Sequence, residues 1–355
     1  MHIKNEEYRA CGTSGLRLSP IGLGCWSFGG GNYWGNQDQK DVDAVVRAAA
    51  ESGINYFDTA EVYNEGRSES SLGIAMQGLE RSNLVIGTKI APVNCYPEKI
   101  ETHCDESLKR LKTDYIDLYM IHWPVHPHSI RHYTSDPEII SNPPDVGRAL
   151  ETFAKLQEKG KIRQIGLSNY SLNRLKNDIP STLKIVANQL PYNLLCRAIE
   201  FDTLPWCQQK GIGVVSYMTL LQGILSNTFA TLADIPEQRR RTRHFNGAST
   251  PLCRHGEKGF EEETQQAIDN IRKIAHEHGV DTAALSTRWA IANMGITCAL
   301  IGARNLSQLN ANIAAIQTPL DTATLEQLNQ ASEHLKQRMG NHFDYYESAE
   351  NDRTV

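Results

Sequence analysis

Short apolar runs alternate with longer amphipathic stretches along most of this chain. Ile21–Trp26 (IGLGCW), Asn55–Asp58 (NYFD), Leu84–Lys89 (LVIGTK) and Ile116–His122 (IDLYMIH) predict strands. So do Gln164–Asn169, Ile185–Leu190, Gly213–Tyr217 and Thr297–Gly302. These runs are brief and rich in Val, Ile and Leu, the pattern of parallel strands buried on both faces. Helical spacing fills the gaps. Asp41–Ser52 repeats Val42, Val45, Val46 and Ala49 on one face, with Gly53 placed to end it. Pro97–Leu111, Val146–Lys159, Leu172–Ile179, Phe201–Lys210, Glu262–Gly279, Asp281–Asn293 and Leu306–Ala315 read likewise. Strand and helix in alternation predict a parallel sheet, and eight such units in 355 residues suit one closed (β/α)₈ barrel spanning the chain.

A doubly wound sheet is the alternative. It needs a Gly-rich turn that opens directly into a helix. Here GLGCWSFGGG runs on into the polar stretch NYWGNQDQ, so that fingerprint fails. Two segments interrupt the rhythm: residues 124–145 and 226–261, the latter including EQRRRTRHFNG. Both follow strand ends, the face where barrel enzymes place their active sites. Residues 333–355 are polar with Phe343, Tyr345 and Tyr346 among them, and are either a tail or a segment folded over the barrel mouth.

Charge changes this picture little. Thirty-six Lys and Arg against 41 Asp and Glu give −5, which predicts neither a nucleic-acid nor an anionic-membrane partner. No apolar run approaches the ~18 residues needed to span a bilayer, and MHIKNEEYRACG lacks the apolar core of a secretory signal. Eight cysteines form no C-x-x-C pair; Cys25 and Cys298 lie in apolar runs and read as buried thiols. A reducing, cytoplasmic setting is the expectation.

Four polar residues stand at or just beyond the ends of consecutive strands: Asp58, Tyr63, Lys89 and His122. A barrel brings such ends together around its axis. An ammonium beside a phenol favours the phenolate, so Lys89 is expected to lower the pKa of Tyr63 from ~10. Asp58 keeps Lys89 charged, since an unpaired buried ammonium is costly. His122 can donate to a carbonyl oxygen and stabilise negative charge there. The set suits carbonyl reduction, with a proton delivered to oxygen as hydride reaches carbon.

With these motifs in order, the chain resembles the aldo-keto reductases from Tyr8 to about Ile316. YRACGTSGLRLSPIGLGCW looks like that family's opening hairpin and first strand, here residues 1–20 and beyond. INYFDTAEVYNEGRSE, IGTKI, DLYMIHWP, GLSNYS, NQLPYNLL, GVVSYMTLLQGIL and IGARNLSQLNANI follow. The resemblance implies NADPH as cofactor and an aldehyde or ketone, sugar-derived or otherwise polar, as substrate. It makes Tyr63 the proton donor, tuned by Asp58 and Lys89, with His122 orienting the carbonyl. It assigns Ser168, Asn169 and Gln189 to the nicotinamide carboxamide and Tyr217 to stacking on its ring. Met218, Thr219, Leu220, Gln222 and Gly223 would follow the pyrophosphate, and Gly24, Cys25, Trp26 and Asp58 would also border the cofactor. Ile301, Gly302, Ala303, Arg304, Gln308 and Asn312 would hold the 2′-phosphate and adenine. An Arg before a helix amino terminus is independently apt for phosphate. After Tyr217 the family often has Ser-Pro-Leu-Gly, whereas Met218, Thr219 and Leu221 stand here. Ile301 stands where Pro is common.

Trp26, Trp34 and Trp123, with Tyr63 and His122, are expected to line the substrate pocket. Trp206 and Trp289 read as helix packing. His122, His126, His128 and His132 are near only one carboxylate, Asp136, and no metal is expected. The run Arg239–Arg243 (RRRTR) reads as a solvated basic patch; the sharper reading closes it over cofactor phosphates or an anionic substrate. The alternative to a reductase is an NADPH-binding regulatory or sensor subunit with little turnover.

Overall fold

A computed structural model of the chain describes residues 2–355. The chain opens with a hairpin of β1 (Arg9–Ala10) and β2 (Arg17–Leu18), paired antiparallel with Arg9 opposite Leu18. Eight parallel strands follow: β3 (Ile21–Gly24), β4 (Tyr56–Asp58), β5 (Val85–Ile90), β6 (Ile116–Ile121), β7 (Ile162–Ser168), β8 (Ala187–Pro191), β9 (Gly213–Tyr217) and β10 (Ile296–Gly302). They pair in sequence order, and β10 closes on β3 with Gly302 beside Gly24. The predicted (β/α)₈ barrel is the observed fold.

The helices are α1 (Gln39–Glu51), α2 (Arg67–Ala75), α3 (Pro97–Leu111), α4 (Pro127–Ile130), α5 (Pro137–Ser141), α6 (Val146–Glu158) and α7 (Leu172–Asn177). Then come α8 (Thr203–Lys210), α9 (Glu261–Glu277), α10 (Thr282–Ala292), α11 (Leu306–Ala315), α12 (Thr322–Ala331) and α13 (Glu333–Met339). Their apolar stripes face the strands: α1 buries Val42, Val45, Val46 and Ala49, and α6 buries Leu150, Phe153 and Leu156. Pro97 starts α3 where a missing N–H costs nothing. Helix α2 escapes the pattern because its buried face carries Ser68, Glu69, Ser71 and Gly73 beside Leu72 and Ala75.

One end of the barrel is plugged. Cys11 and Leu18, from and beside the hairpin, pack with Tyr56, Leu118, Met120, Val215, Cys298 and Leu300 in the interior. The Arg9 guanidinium donates to the carbonyls of Ile296 and Ile291 at 2.8 and 2.7 Å. Gly12, at φ +58°, comes so close that a Cβ would lie 2.4 Å from the Gly211 carbonyl oxygen. Only glycine fits both demands. The opposite end, at the carboxyl ends of the strands, is where the candidate residues gather.

There the chain after residue 333 is not a solvated tail. It forms α13 and then folds inward, burying Phe343, Asp344, Tyr345, Glu347, Asp352, Arg353 and Thr354. The reading of Arg239–Arg243 as a solvated patch is corrected too. Thr242 and Arg243 are buried, Arg243 pairs with Glu257 at 2.8 Å, and Arg241 lies over the rings of Tyr33 and Tyr346. Distant segments cover this run, and local sequence carries no sign of them.

Candidate active site

Strand register places Asp58 beside Gly24 on one side and Gly87 on the other, with Lys89 one pair further round against Met120. The Lys89 ammonium, fully buried, donates to Asp58 Oδ2 and to the Thr59 carbonyl, both at 2.7 Å. Asp58 Oδ1 accepts from Gln189 Nε2 at 2.7 Å and from the Tyr56 hydroxyl at 3.3 Å. Tyr63 sits on the turn between β4 and α2, its ring 5.0 Å from Lys89 Nζ and 5.4 Å from the edge-on imidazole of His122. The four strand-end residues therefore share one space.

Electrostatics at Tyr63 run opposite to the expectation. Burial, reinforced by Asp58 and Cys25, pushes the phenol well above its usual range, although part of the ring stays open. The ammonium lies over the ring face, and Asp58 and the Thr59 carbonyl already take up its charge. Tyr63 is thus a phenol that keeps its proton. Burial lowers Lys89 against the opposing pull of Asp58. Burial and the positive charges of Lys89 and Arg353 drive His122 well below the ordinary imidazole range, so it is neutral at pH 7. Its Nδ1 is buried without a hydrogen-bond partner among the described residues.

The residues expected at the carboxamide form a connected set. Asn169, at φ +65°, donates to the His122 carbonyl and to Ser168 Oγ at 3.1 Å and accepts from the Tyr217 hydroxyl at 2.8 Å. Ser168 Oγ donates to the Gln189 carbonyl. The segment after Tyr217 turns sharply: Met218, Leu221 and Gln222 have φ of 60°, 44° and 56°. A left-handed conformation costs a non-Gly residue roughly 1–2 kcal/mol, and Leu221 adopts it where the resembled family often has Gly. Buried anchors hold the turn. Thr219 Oγ1 donates to the Leu300 carbonyl at 2.9 Å, and Asn193 Nδ2 donates to that of Met218 at 2.8 Å. Leu220 accepts from the N–H of Gly223.

At the end of β10, Ile301 and the following Ala303 are buried, and Asn312 donates to the Gly302 carbonyl. Asn305 caps α11 by accepting from Gln308 N. Arg304 projects at this helix start with no carboxylate partner among the described residues; it donates to Gln37 Oε1 and the Asn36 carbonyl at 2.8 and 2.5 Å, and its N–H donates to Gln308 Oε1. A capped helix start beside an uncompensated guanidinium, and an orphaned imidazole nitrogen, fit a phosphate-bearing cofactor and a carbonyl acceptor.

Trp26 stacks on Tyr33 at 5.1 Å, meets Trp34 edge-on at 5.3 Å and lies 5.9 Å from Tyr63. Trp123, next to His122 in sequence, carries the Arg353 guanidinium 3.8 Å above its ring. Tyr33, Gln37 and Arg353 escaped sequence reading, whereas Tyr346 fell in the segment expected as either a tail or a fold over the barrel mouth. Tyr33 stands beside the predicted Trp34 and was the one with a signal; the others depend on long-range folding. The histidines of the 124–145 loop go elsewhere: His128 meets the Asp352 carbonyl and His126 packs on His128.

Residues 20–333 match the family model described as the Aldo/keto reductase family. Aldo-keto reductase YhdN of Bacillus subtilis (strain 168) is 31% identical over 86% of this chain and 87% of its own. The NADH-specific methylglyoxal reductase of Escherichia coli (strain K12) is 30% identical over 92% and 98%. Among solved structures, an aldo/keto reductase from Klebsiella pneumoniae in complex with NADP and acetate is 26% identical, with a TM-score of 0.67 over 91% of this chain and 94% of that one.

Proposed function

The chain belongs to the aldo/keto reductase family of oxidoreductases, and from that premise we propose that it reduces an aldehyde or ketone to the alcohol with NADPH. The observation that carries this reading is the grouping of Tyr63, the buried Lys89–Asp58 pair and neutral His122 at one rim. The nicotinamide supplies hydride when bound. The chain's own residues do the rest. His122 donates a hydrogen bond to the carbonyl oxygen and holds it toward Tyr63. The Tyr63 hydroxyl gives that oxygen its proton. Lys89, fixed by Asp58, meets the negative charge left on the phenol, an interaction that strengthens only as the proton leaves. Trp26, Trp34 and Trp123 exclude water from the pocket.

On the cofactor side, Tyr217 offers its ring to the nicotinamide, Ser168, Asn169 and Gln189 its carboxamide contacts, and residues 218–223 the pyrophosphate course. Gly24 and Cys25 border it at β3. Arg304, with Gln308 and Asn312, faces the adenosine end and favours the 2′-phosphate. One relative at 30% identity is named for NADH, so the choice turns on Arg304. The test is titration of wild type and Arg304→Ala with NADPH and NADH, read by tryptophan quenching. A charged hydrogen bond is worth ~1.5–3 kcal/mol, so the variant loses NADPH affinity roughly 10- to 150-fold and NADH affinity hardly at all. Equal wild-type affinity for both nucleotides would remove Arg304 from this role; binding of neither would end the reductase reading.

A further inference from the structure

The four arginines of residues 239–243 do not share one fate. Arg243 has its carboxylate, Glu257, at 2.8 Å. Among the described residues, Arg239, Arg240 and Arg241 have no carboxylate within 4.0 Å. The acidic groups that the carboxyl-terminal segment brings to the mouth are already taken. Asp344 holds Arg353, Glu347 holds Arg254 and Asp352 faces His342. Uncompensated positive charge therefore gathers at the mouth of a protein whose net charge is −5.

Arg239 belongs to the cofactor turn, since it donates to the Gln222 carbonyl at 3.0 Å. Arg241 is placed differently. Its guanidinium lies 5.0 Å from the Tyr33 ring centre and 5.8 Å from that of Tyr346, and its Nε is buried without a partner among the described residues. The two rings are tied through Gln222, which accepts from the Tyr33 hydroxyl at 2.5 Å and donates to that of Tyr346 at 3.0 Å. Tyr33 stacks on Trp26, and Trp26 neighbours Tyr63. A row of aromatic rings thus leads from the reacting phenol to a guanidinium with unspent donors. Partial burial of an unpaired guanidinium is costly, and its planar fork matches a carboxylate or phosphate.

We propose that Arg241 is a specificity residue for an anionic group carried by the carbonyl substrate several bonds from its carbonyl. The substrate class is then an oxo-acid or a phosphorylated carbonyl compound, read by Arg241 at one end of the aromatic wall and by Tyr63 and His122 at the other. This rests on the reductase reading above.

The test compares acids with their methyl esters, which match in reach and differ in charge. 4-Formylbenzoate and 4′-formylbiphenyl-4-carboxylate, each with its ester, are reduced by wild type, Arg241→Met and Arg241→Lys. Wild type should prefer the acid at one length or both. Arg241→Met should lose roughly 10- to 150-fold in kcat/KM for that acid, through KM, while the ester changes less than about twofold. Arg241→Lys should recover part of the loss, and NADPH affinity should not move. Ester turnover without acid preference at either length would overturn the proposal alone, as would an equal loss for acid and ester. A rise in the NADPH Kd of Arg241→Met would reassign the residue to the cofactor. Reduction of neither compound at either length would remove the reductase reading and this inference with it.

Discussion

At the rim of the barrel, Asp58, Lys89 and Gln189 hang from strands whose backbone pairing closes round the sheet. The cover across that rim, residues 226–261 and 340–355, has no such ladder. Side chains hold it instead: the Arg353–Asp344 pair, bidentate at 2.7 Å and buried on both sides, the Arg254–Glu347 pair, and Tyr345 stacked on His244. The rim is fixed by pairing that any sequence of similar pattern would make. Particular residues meeting across long stretches of chain fix the cover. Chemistry and fold are separable at the rim, whereas shape and stability are one property in the cover.

The strongest attempt to break this contrast is Tyr63→Phe. If Tyr63 has the proposed general-acid role, its loss costs ~10²–10⁴ in rate, so kcat for any accepted carbonyl should fall by that factor with Tm and NADPH affinity unchanged. A comparable fall in Tm would mean that the rim, too, is held by its functional side chains. Next comes Asp344→Ala, which leaves the buried Arg353 guanidinium without its partner. Removing one member of a buried pair costs ~3–5 kcal/mol, readable in denaturant unfolding. Proton donation by Tyr63 should survive it.

The smallest effect is set by acid. His244 lies buried within the cover, its ring nitrogens against the Leu195 carbonyl and the Thr242 hydroxyl, and burial pushes its pKa down to about 4. An unfolded histidine titrates near ~6.5. Between those values the unfolded chain binds the proton and the folded one does not, so stability falls as pH drops from ~6.5 toward 4. His122 adds to the same trend from the rim. His244→Gln should flatten part of the Tm decline over that interval; an unchanged slope would show that the cover carries none of it.

The same contrast explains what the sequence disclosed. Strand ends were legible because period and apolar character are local, and Asp58, Lys89 and His122 each punctuate such a run. The gathering of Ser168, Asn169, Gln189 and Tyr217 in one hydrogen-bonded cluster was legible through motif order. Helix α2 was not, because Glu69 is buried only by virtue of Arg110 and Thr88, which come from elsewhere in the chain. Asp344 and Arg353 look like solvated charges until folding brings them together over Trp123. The pKa of Tyr63 was misjudged for a related reason. Proximity to Lys89 and its pairing with Asp58 were foreseen, but not the burial that, with Asp58 and Cys25, pushes the phenol up.

Closure of β3 on β10 has a consequence for the time course of synthesis. The first barrel strand waits for a neighbour that emerges roughly 270 residues later, some 15–55 s at ~5–20 residues per second. Through that interval Ile21–Gly24 offers an unpaired edge to any other nascent chain. Slower translation of the last third should therefore lower soluble yield more than slower translation of the first.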